Sequence, residues 1–469
     1  MPSVGRVTAL VGAVVVIATV VRAAEVFRFD ASATTGPAVS RMLYGMNVAR
    51  WDDLLFPAAT SQMLLTCDRD AIAKLKDLKP AFLKYPGGND ADSYVWNDPK
   101  NADKDMDTEE FLWLARTCDA PGFFTVNFTQ PPALAAEWLR FVNVLGGRKG
   151  AVPYWEVGDE VWGHWAKSHT TGEGYGRKFR EFAEAMRRED PSVKLAANLA
   201  LAAADSTWTR EALRSLGDSF DMVTMTFFPL SPPDETDEAL FRSPDQYRRM
   251  FRELEAAVAQ ILPGRPRPQY CLVGFNSTST KPGPQTVQMA NAVFMAQMFG
   301  ALAETGTDMA CWWAFHNAYP QRGGDYGVLT SDGKNTPHYT YWVFKLLSHG
   351  FHGRLLAANH EGPVEFYATQ HGEGDGLCLV VINTATTSSA GVRVEVSGLS
   401  DRFLAPGGPQ PFDMVTSGPA AAVTEHRAEV TPSGAGALTV AFPELPGYSV
   451  SVMVLKPAAR AVNASEKSG

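Results

Sequence analysis

Metal-binding spacings are missing from this sequence. No Cys-x-x-Cys and no His-x-x-x-His pair occurs among its 5 cysteines and 9 histidines, so neither a structural nor a catalytic metal is expected, and no cofactor is called for. No Gly-x-Gly-x-x-Gly follows the first strand-like run, which argues against an open dinucleotide-binding sheet. Cysteine is scarce and odd in number, so Cys67, Cys118, Cys271, Cys311 and Cys378 cannot all pair internally. Cys271 and Cys311 fall in strand-like runs, where a small buried thiol is the simpler reading. A Cys67–Cys118 bridge stays open. Basic charge is short as well: 42 Lys and Arg face 51 Asp and Glu, a net −9, which argues against nucleic acid and anionic membranes as partners. Only one apolar run is long, Val7 to Val21, and it is short for a membrane span. With Arg6 before it and Val21-Arg22-Ala23 after it, residues 1–24 read as a signal peptide, and the mature chain is expected to be secreted or extracytoplasmic. Loss of Arg6 and Arg22 takes the charge from −9 to −11. A last absence bears on chemistry: no Asp or Glu occurs between Glu255 and Glu304.

What is present is a regular alternation. From Leu43 to Gly350 short β-like runs alternate with helix-like runs. Eight strands are read at Leu43–Asn47, Phe82–Pro86, Phe123–Asn127, Tyr154–Gly158, Val193–Asn198, Met222–Phe228, Tyr270–Asn276 and Met309–His316. Helical patterns lie between them, among them Ala133–Leu145, Tyr175–Arg188, Pro244–Ile261 and Gln285–Thr305, several opening on Pro, Ser, Thr or Asp. Such alternation implies parallel strands, and eight units close into a (β/α)8 TIM barrel over residues 43–350. Beyond Gly353 strand-like runs recur without long helices, which reads as a C-terminal β-sandwich over 351–457. Residues 25–42 carry a strand, Val26–Asp30, expected to join that sandwich; residues 458–469 read as a frayed tail. Gly372-Glu373-Gly374-Asp375-Gly376 reads as a hairpin turn rather than a calcium loop, and of the N-glycosylation triplets at Asn127, Asn276 and Asn463 only the last sits in an exposed-looking segment.

A barrel of this kind works at the C-terminal ends of its strands. The second ends in Lys84-Tyr85-Pro86-Gly87-Gly88-Asn89, the third in Val126-Asn127, and the fourth in Trp155-Glu156-Val157-Gly158-Asp159-Glu160. The sixth ends in Thr226-Phe227-Phe228, the seventh in Gly274-Phe275-Asn276, and the eighth in Trp312-Trp313 through His316-Asn317. Amides bond hydroxyls in both directions, and Trp faces cover the C–H side of a sugar ring, so the set suits a carbohydrate. Glu160, with Trp155, Trp162 and Trp165 close in sequence, is the prime candidate for a general acid. Plugging of the barrel top is the alternative for any single residue.

These pieces, with Tyr44-Gly45-Met46, Thr125-Val126-Asn127 and Asp308 through Asn317, resemble the retaining glycoside hydrolases of clan A (the 4/7 superfamily), and among them the α-L-arabinofuranosidases. The resemblance covers nearly the whole mature chain. It implies an acid/base at Glu160 and substrate contacts from Lys84, Asn89, Asn127, Trp155, Asp159, Phe228, Asn276, Trp313 and His316. It also implies departures. Asp159 stands where the family has Asn, and Lys84 where it has Arg, which loses the planar fork. Thr226 and Phe228 stand where it has His and Tyr, and Gly274 where it has the nucleophilic Glu.

Retaining glycosidases hold two carboxyl groups about 5–5.5 Å apart and inverting ones about 6.5–9.5 Å. Glu156 shares a strand face with Glu160 but lies roughly 13 Å away along an extended chain. Loop carboxylates at Asp90, Asp92 or Asp325 remain candidates for the second group. Three readings follow: a carbohydrate-binding protein that lost the chemistry, an active glycosidase with a relocated carboxylate, or a scaffold that uses the barrel for interaction alone.

Overall fold

The protein is described here by a computed structural model covering residues 24–33, 36–56, 67–100, 106–145, 150–201, 206–371, 376–399, 407–418 and 421–456. Residues 1–23 of the segment read as a signal peptide, residues 458–469 with Asn463, and residues 372–375, where a hairpin turn is expected, fall outside these described residues.

Eight parallel strands form a closed barrel: Gly45–Asn47, Leu83–Tyr85, Gly122–Val126, Tyr154–Val157, Lys194–Asn198, Met222–Phe227, Gln269–Phe275 and Met309–Trp312. The eighth closes on the first, Cys311 pairing Gly45 and Trp312 pairing Met46. Alternation along each strand sends one set of side chains inward. Phe82, Phe123, Ala196, Met222, Cys271, Val273, Met309 and Cys311 form a small separate core, while the opposite set packs under the helices in the main core. The helices start where capping residues put them. Asp68, Thr171, Ser206 and Thr236 each accept a backbone N–H of the first turn, and Asp107 and Glu110 form a reciprocal capping box.

Several boundaries differ from expectation: the helix read from Gln285 begins at Met289 after a 3-10 turn over Pro284–Val287, and the eighth strand ends at Trp312 rather than His316. The sixth-strand helix begins at Asp237, not Pro244, because Thr236 caps it and Pro244 is carried inside. The helix expected over Ala133–Leu145 is α-helical only for Pro132–Leu139 and widens to a π turn over Arg140–Val144. Nor does a Cys67–Cys118 bridge form: Cys118 is a free thiol that burial pushes up to about 12.

Beyond the barrel lies a ten-stranded sheet folded on itself. Glu25–Asp30 pairs parallel with Val392–Ser397 at one edge, and Ala38–Val39 pairs with Gly353–Asn359 at the other. Its two halves enclose a second core containing Phe27, Phe366, Leu379, Val394, Phe412, Val440 and Met453. The helix Met289–Thr305 is buried along nearly its whole length and is apolar on all sides, as a helix between barrel and sandwich must be. Gly300 allows the closest approach: any Cβ there would lie 2.2 Å from the Tyr367 ring of the sandwich.

Candidate functional site

The fourth strand builds the centre of the site. Glu156 points into the lumen, where it is fully buried. It accepts Thr125 Oγ1 at 2.7 Å and Asn198 Nδ2 at 2.9 Å, and Lys84 Nζ lies 3.1 Å away. Burial alone would lower the proton affinity of Lys84; the charges of Glu156 and Asp159 overcome that and raise it, so the ammonium stays charged. Glu156 is therefore committed to holding the barrel top together.

Past Val157 the chain turns sharply. Gly158 and Glu160 both adopt left-handed backbone, at φ 75 and 48. For a glutamate this conformation is uncommon, and such strain is typical of residues held for a purpose. Glu160 is fixed on every side. Its N–H donates to Asn198 Oδ1 at 3.1 Å, its Oε1 accepts Thr226 Oγ1 at 2.6 Å, and its Oε2 accepts Trp165 Nε1 at 2.9 Å. Asp159 is buried and receives Asn89 Nδ2 at 3.0 Å. Burial pushes its carboxyl well above the usual range against the pull of Lys84, and Glu156 and Glu160 push the same way. A carboxyl protonated at that place would offer an O–H donor where an amide offers an N–H.

These groups open into a cleft of about 690 Å³. Lys84, Asn89, Asp159, Glu160, Phe228, Gly274 and Trp313 all line it, so most of the residues read from strand ends come together. The opposite wall is the seventh strand. It carries an extra residue against the sixth, with Met225 paired to Leu272 but Thr226 to Gly274, so the strand bulges beside the cleft. A Cβ placed on Gly274 would meet Thr226 Cγ2 at 3.6 Å and the Phe228 ring at 3.7 Å, ordinary contact distances. There is room for a side chain where none stands.

Four expected contacts lie elsewhere. Trp155 is fully buried among Phe124 and Trp138, and its indole N–H donates to Val152 O at 2.7 Å, because alternation turns it towards the helices. Asn127 donates to Tyr94 O at 3.1 Å and caps Thr129. Asn276 donates to Trp313 O at 2.6 Å and accepts from Ser277 and Asn291, so it fixes the loop that carries Trp313. His316 is buried with Nδ1 3.0 Å from Asp52 Oδ2 and does not line the cleft.

Among the described residues the carboxylates lining the cleft are Asp90, Asp159 and Glu160. Asp90 is hydrogen-bonded to Arg50. Asp92 is buried and receives Ser168 N at 3.0 Å; Asp325 is buried, receives Gly327 N at 2.7 Å and lies 3.4 Å from His338 Nε2. Neither lines the cleft. Asn198 escaped the sequence reading although it joins Glu156 to Glu160. Its signal was a lone amide closing the fifth strand. Trp51, Tyr326 and the Ser279-Thr280-Lys281-Pro282 segment also line the cleft; they lie in loops, where strand-end reading does not reach.

The comparisons with known proteins agree with this layout. The α-L-arabinofuranosidase C of Emericella nidulans is 30% identical over 159 residues, 27% of this chain and 31% of that protein. The chain thus spans under a third of the length of such relatives. The probable α-L-arabinofuranosidase C of Aspergillus niger is 24% identical over 356 residues, 63% of this chain and 68% of that protein. No protein-family model matches the chain. The α-L-arabinofuranosidase of Thermotoga maritima, solved as its arabinose complex, superposes with a TM-score of 0.72 at 16% identity, covering 92% of this chain and 99% of that one.

The chain is similar to α-L-arabinofuranosidases.

Its closed barrel and appended sandwich share the fold of the Thermotoga maritima arabinofuranosidase. Within that layout the seventh strand carries Gly274 at the position from which the resemblance expects a glutamate.

Proposed function

We propose that this arabinofuranosidase-like protein is exported and binds glycan in its barrel-top cleft, retaining the acid/base carboxyl at Glu160 without the partner that hydrolysis needs. The observation that carries the reading is the wall facing Glu160. It is formed by Gly274, Phe228, Thr226 and Val273, and no carboxylate stands on it among the described residues. A glycosidase stabilises an oxocarbenium-like transition state with a matched pair of carboxyl groups. Asp90 and Asp159 are engaged with Arg50 and Asn89, and they follow the second and fourth strands, not the seventh. Export rests on the signal-peptide pattern of residues 1–24.

The test pairs two measurements on the mature chain. Calorimetry against arabinan and xylan fragments should give binding that Trp313→Ala abolishes or weakens at least tenfold. Release of 4-nitrophenol from its α-L-arabinofuranoside should stay near the uncatalysed rate. Turnover typical of a glycosidase in plain buffer would overturn the impaired-catalysis reading, and absence of binding to every glycan would favour the scaffold reading instead.

A further inference from the structure

Asp159 and Glu160 are neighbours in the chain, yet both line the cleft. Successive side chains on an extended strand point apart. The left-handed backbone of Gly158 and Glu160, at φ 75 and 48, breaks that alternation and sends consecutive carboxyls to one opening. The two are held differently. Both oxygens of Glu160 are bonded, Oε1 to Thr226 Oγ1 and Oε2 to Trp165 Nε1. Asp159 takes the Asn89 amide on Oδ2 at 3.0 Å, while its Oδ1 receives no hydrogen bond among the described residues. That oxygen is free to take an N–H from a ligand.

The gap at Gly274 has a chemistry of its own. The atoms nearest to a Cβ there are Thr226 Cγ2 at 3.6 Å and Phe228 Cζ and Cε2 at 3.7 and 3.8 Å, a methyl and a ring edge. Val273 lines the cleft beside them. A neutral group ending in a methyl suits such a lining. Thr226 joins the two places, with its hydroxyl on Glu160 and its methyl on the gap.

An acetamido group meets both demands. Its N–H is a donor for Asp159, its methyl suits the gap, and its carbonyl oxygen is a nucleophile. Substrate-assisted glycosidases dispense with a nucleophilic carboxylate in this way. The step rests on the proposed binding of glycan at Glu160 without a protein nucleophile: we infer that the site cleaves 1,2-trans glycosides of 2-acetamido-2-deoxy sugars, the substrate's own acetamido oxygen taking the part of the missing glutamate. That oxygen attacks the anomeric carbon as the glycosidic bond breaks, and Glu160 passes its proton to the leaving oxygen. The product is a cyclic oxazolinium ion. Its positive charge is met by the carboxylate of Glu160 and, through the N–H, by Asp159. Glu160 then takes a proton from water, whose oxygen adds to the anomeric carbon. The ring opens and the acetamide is restored, with the starting anomeric configuration. Only the 1,2-trans arrangement lets the acetamido oxygen approach from the face opposite the leaving group.

The test uses the mature chain and 4-nitrophenyl 2-acetamido-2-deoxy-β-D-glucopyranoside and -galactopyranoside, each beside its 2-hydroxy parent. At least one acetamido substrate should be hydrolysed about a hundredfold faster than its parent. Exchanging acetyl for mono-, di- and trifluoroacetyl withdraws electrons from the carbonyl oxygen, and kcat should fall by about a hundredfold across the series. This series is read on the wild type and needs no variant. Asp159→Asn should lower kcat about a hundredfold with KM nearly unchanged, since an amide accepts the N–H without opposing the charge. Gly274→Glu fills the gap and should abolish acetamido hydrolysis in a chain that circular dichroism shows to be folded. Equal rates for acetamido and 2-hydroxy substrates, or rates indifferent to fluorination, overturn the inference and leave glycan binding intact. Rapid turnover of an aryl α-L-arabinofuranoside in plain buffer overturns instead the absence of a protein nucleophile on which the inference rests.

Discussion

Thr226 pairs with Gly274 in the register of the sixth and seventh barrel strands, and its hydroxyl reaches Glu160 at 2.6 Å. The side chain that bonds the retained carboxyl thus stands next to the residue that offers none. In a retaining site a second carboxylate would rise from the Gly274 position towards the anomeric carbon.

That gap predicts chemical rescue. A small anion such as azide or formate can occupy it, attack the anomeric carbon of an aryl α-L-arabinofuranoside and expel the aryloxide, giving a glycosyl azide or formate. Release of 4-nitrophenol should rise at least tenfold with molar azide over buffer alone. The substitution Gly274→Glu should be tolerated, since its Cβ meets only ordinary contacts, and should produce hydrolysis without added anion. If neither azide nor Gly274→Glu raises the rate, the vacant position is not what limits catalysis.

The barrel could be read from the sequence because its strands are short apolar runs and its helices open on Asp68, Asp107, Thr171, Ser206 and Thr236, local signals that packing then reinforced. Glu160, Asp159, Asn89 and Trp313 were legible because they stand at or just beyond strand ends and do face the cleft. Asn127 and Asn276 occupy equivalent places in sequence, but their amides bond backbone groups of neighbouring loops, a choice made by tertiary geometry. The sandwich strands Gly408–Thr416 and Thr424–Gly434 went unread because Pro409, Pro411 and alternating charged residues mask them; pairing with each other supplies what composition does not.

Asp159 predicts a pH effect of definite sign. Burial holds its carboxyl above the usual range, so the folded protein keeps a proton that the unfolded chain releases. Once protonated the carboxyl is a donor to ligand, and it becomes acceptor-only as pH rises through its raised value. Asp159→Asn keeps a donor throughout. Glycan affinity of the two proteins should agree within about threefold at the acid end of the folded range and diverge as pH rises, the wild type weakening and the variant holding. Parallel pH profiles would show that Asp159 does not act through its proton.

Lys84 and Glu156 form an ion pair with almost no exposure, at 3.1 Å. Removing one partner leaves a buried charge uncompensated, which costs about 3–5 kcal/mol, whereas removing both spares most of that. Lys84→Met alone should therefore lower unfolding stability in urea by that amount. Lys84→Met with Glu156→Gln should recover at least half of it. An additive double variant would mean that the pair is not coupled and that Thr125 and Asn198 suffice for Glu156.

The last prediction concerns the contact between barrel and sandwich. Glu365, buried on a sandwich strand, accepts Gln297 Nε2 at 2.5 Å from the barrel helix Met289–Thr305 and the Tyr367 hydroxyl at 3.2 Å. Burial raises its carboxyl from 4.5 to about 7, the hydrogen bonds and the nearby Arg248 offsetting only part of this. The folded state then binds the proton more tightly than the unfolded one. Between pH 4.5 and 7 the native protein carries the extra proton, so stability from this group is present at the acid end and is lost as pH rises through the folded value. The span is on the order of 3 kcal/mol. Urea unfolding across that range should show wild-type stability falling relative to Glu365→Gln, which cannot titrate and leaves Gln297 an acceptor. If the difference between the two proteins is flat across this window, Glu365 is ionised in the folded protein and the interface is held by charge rather than by a shared proton.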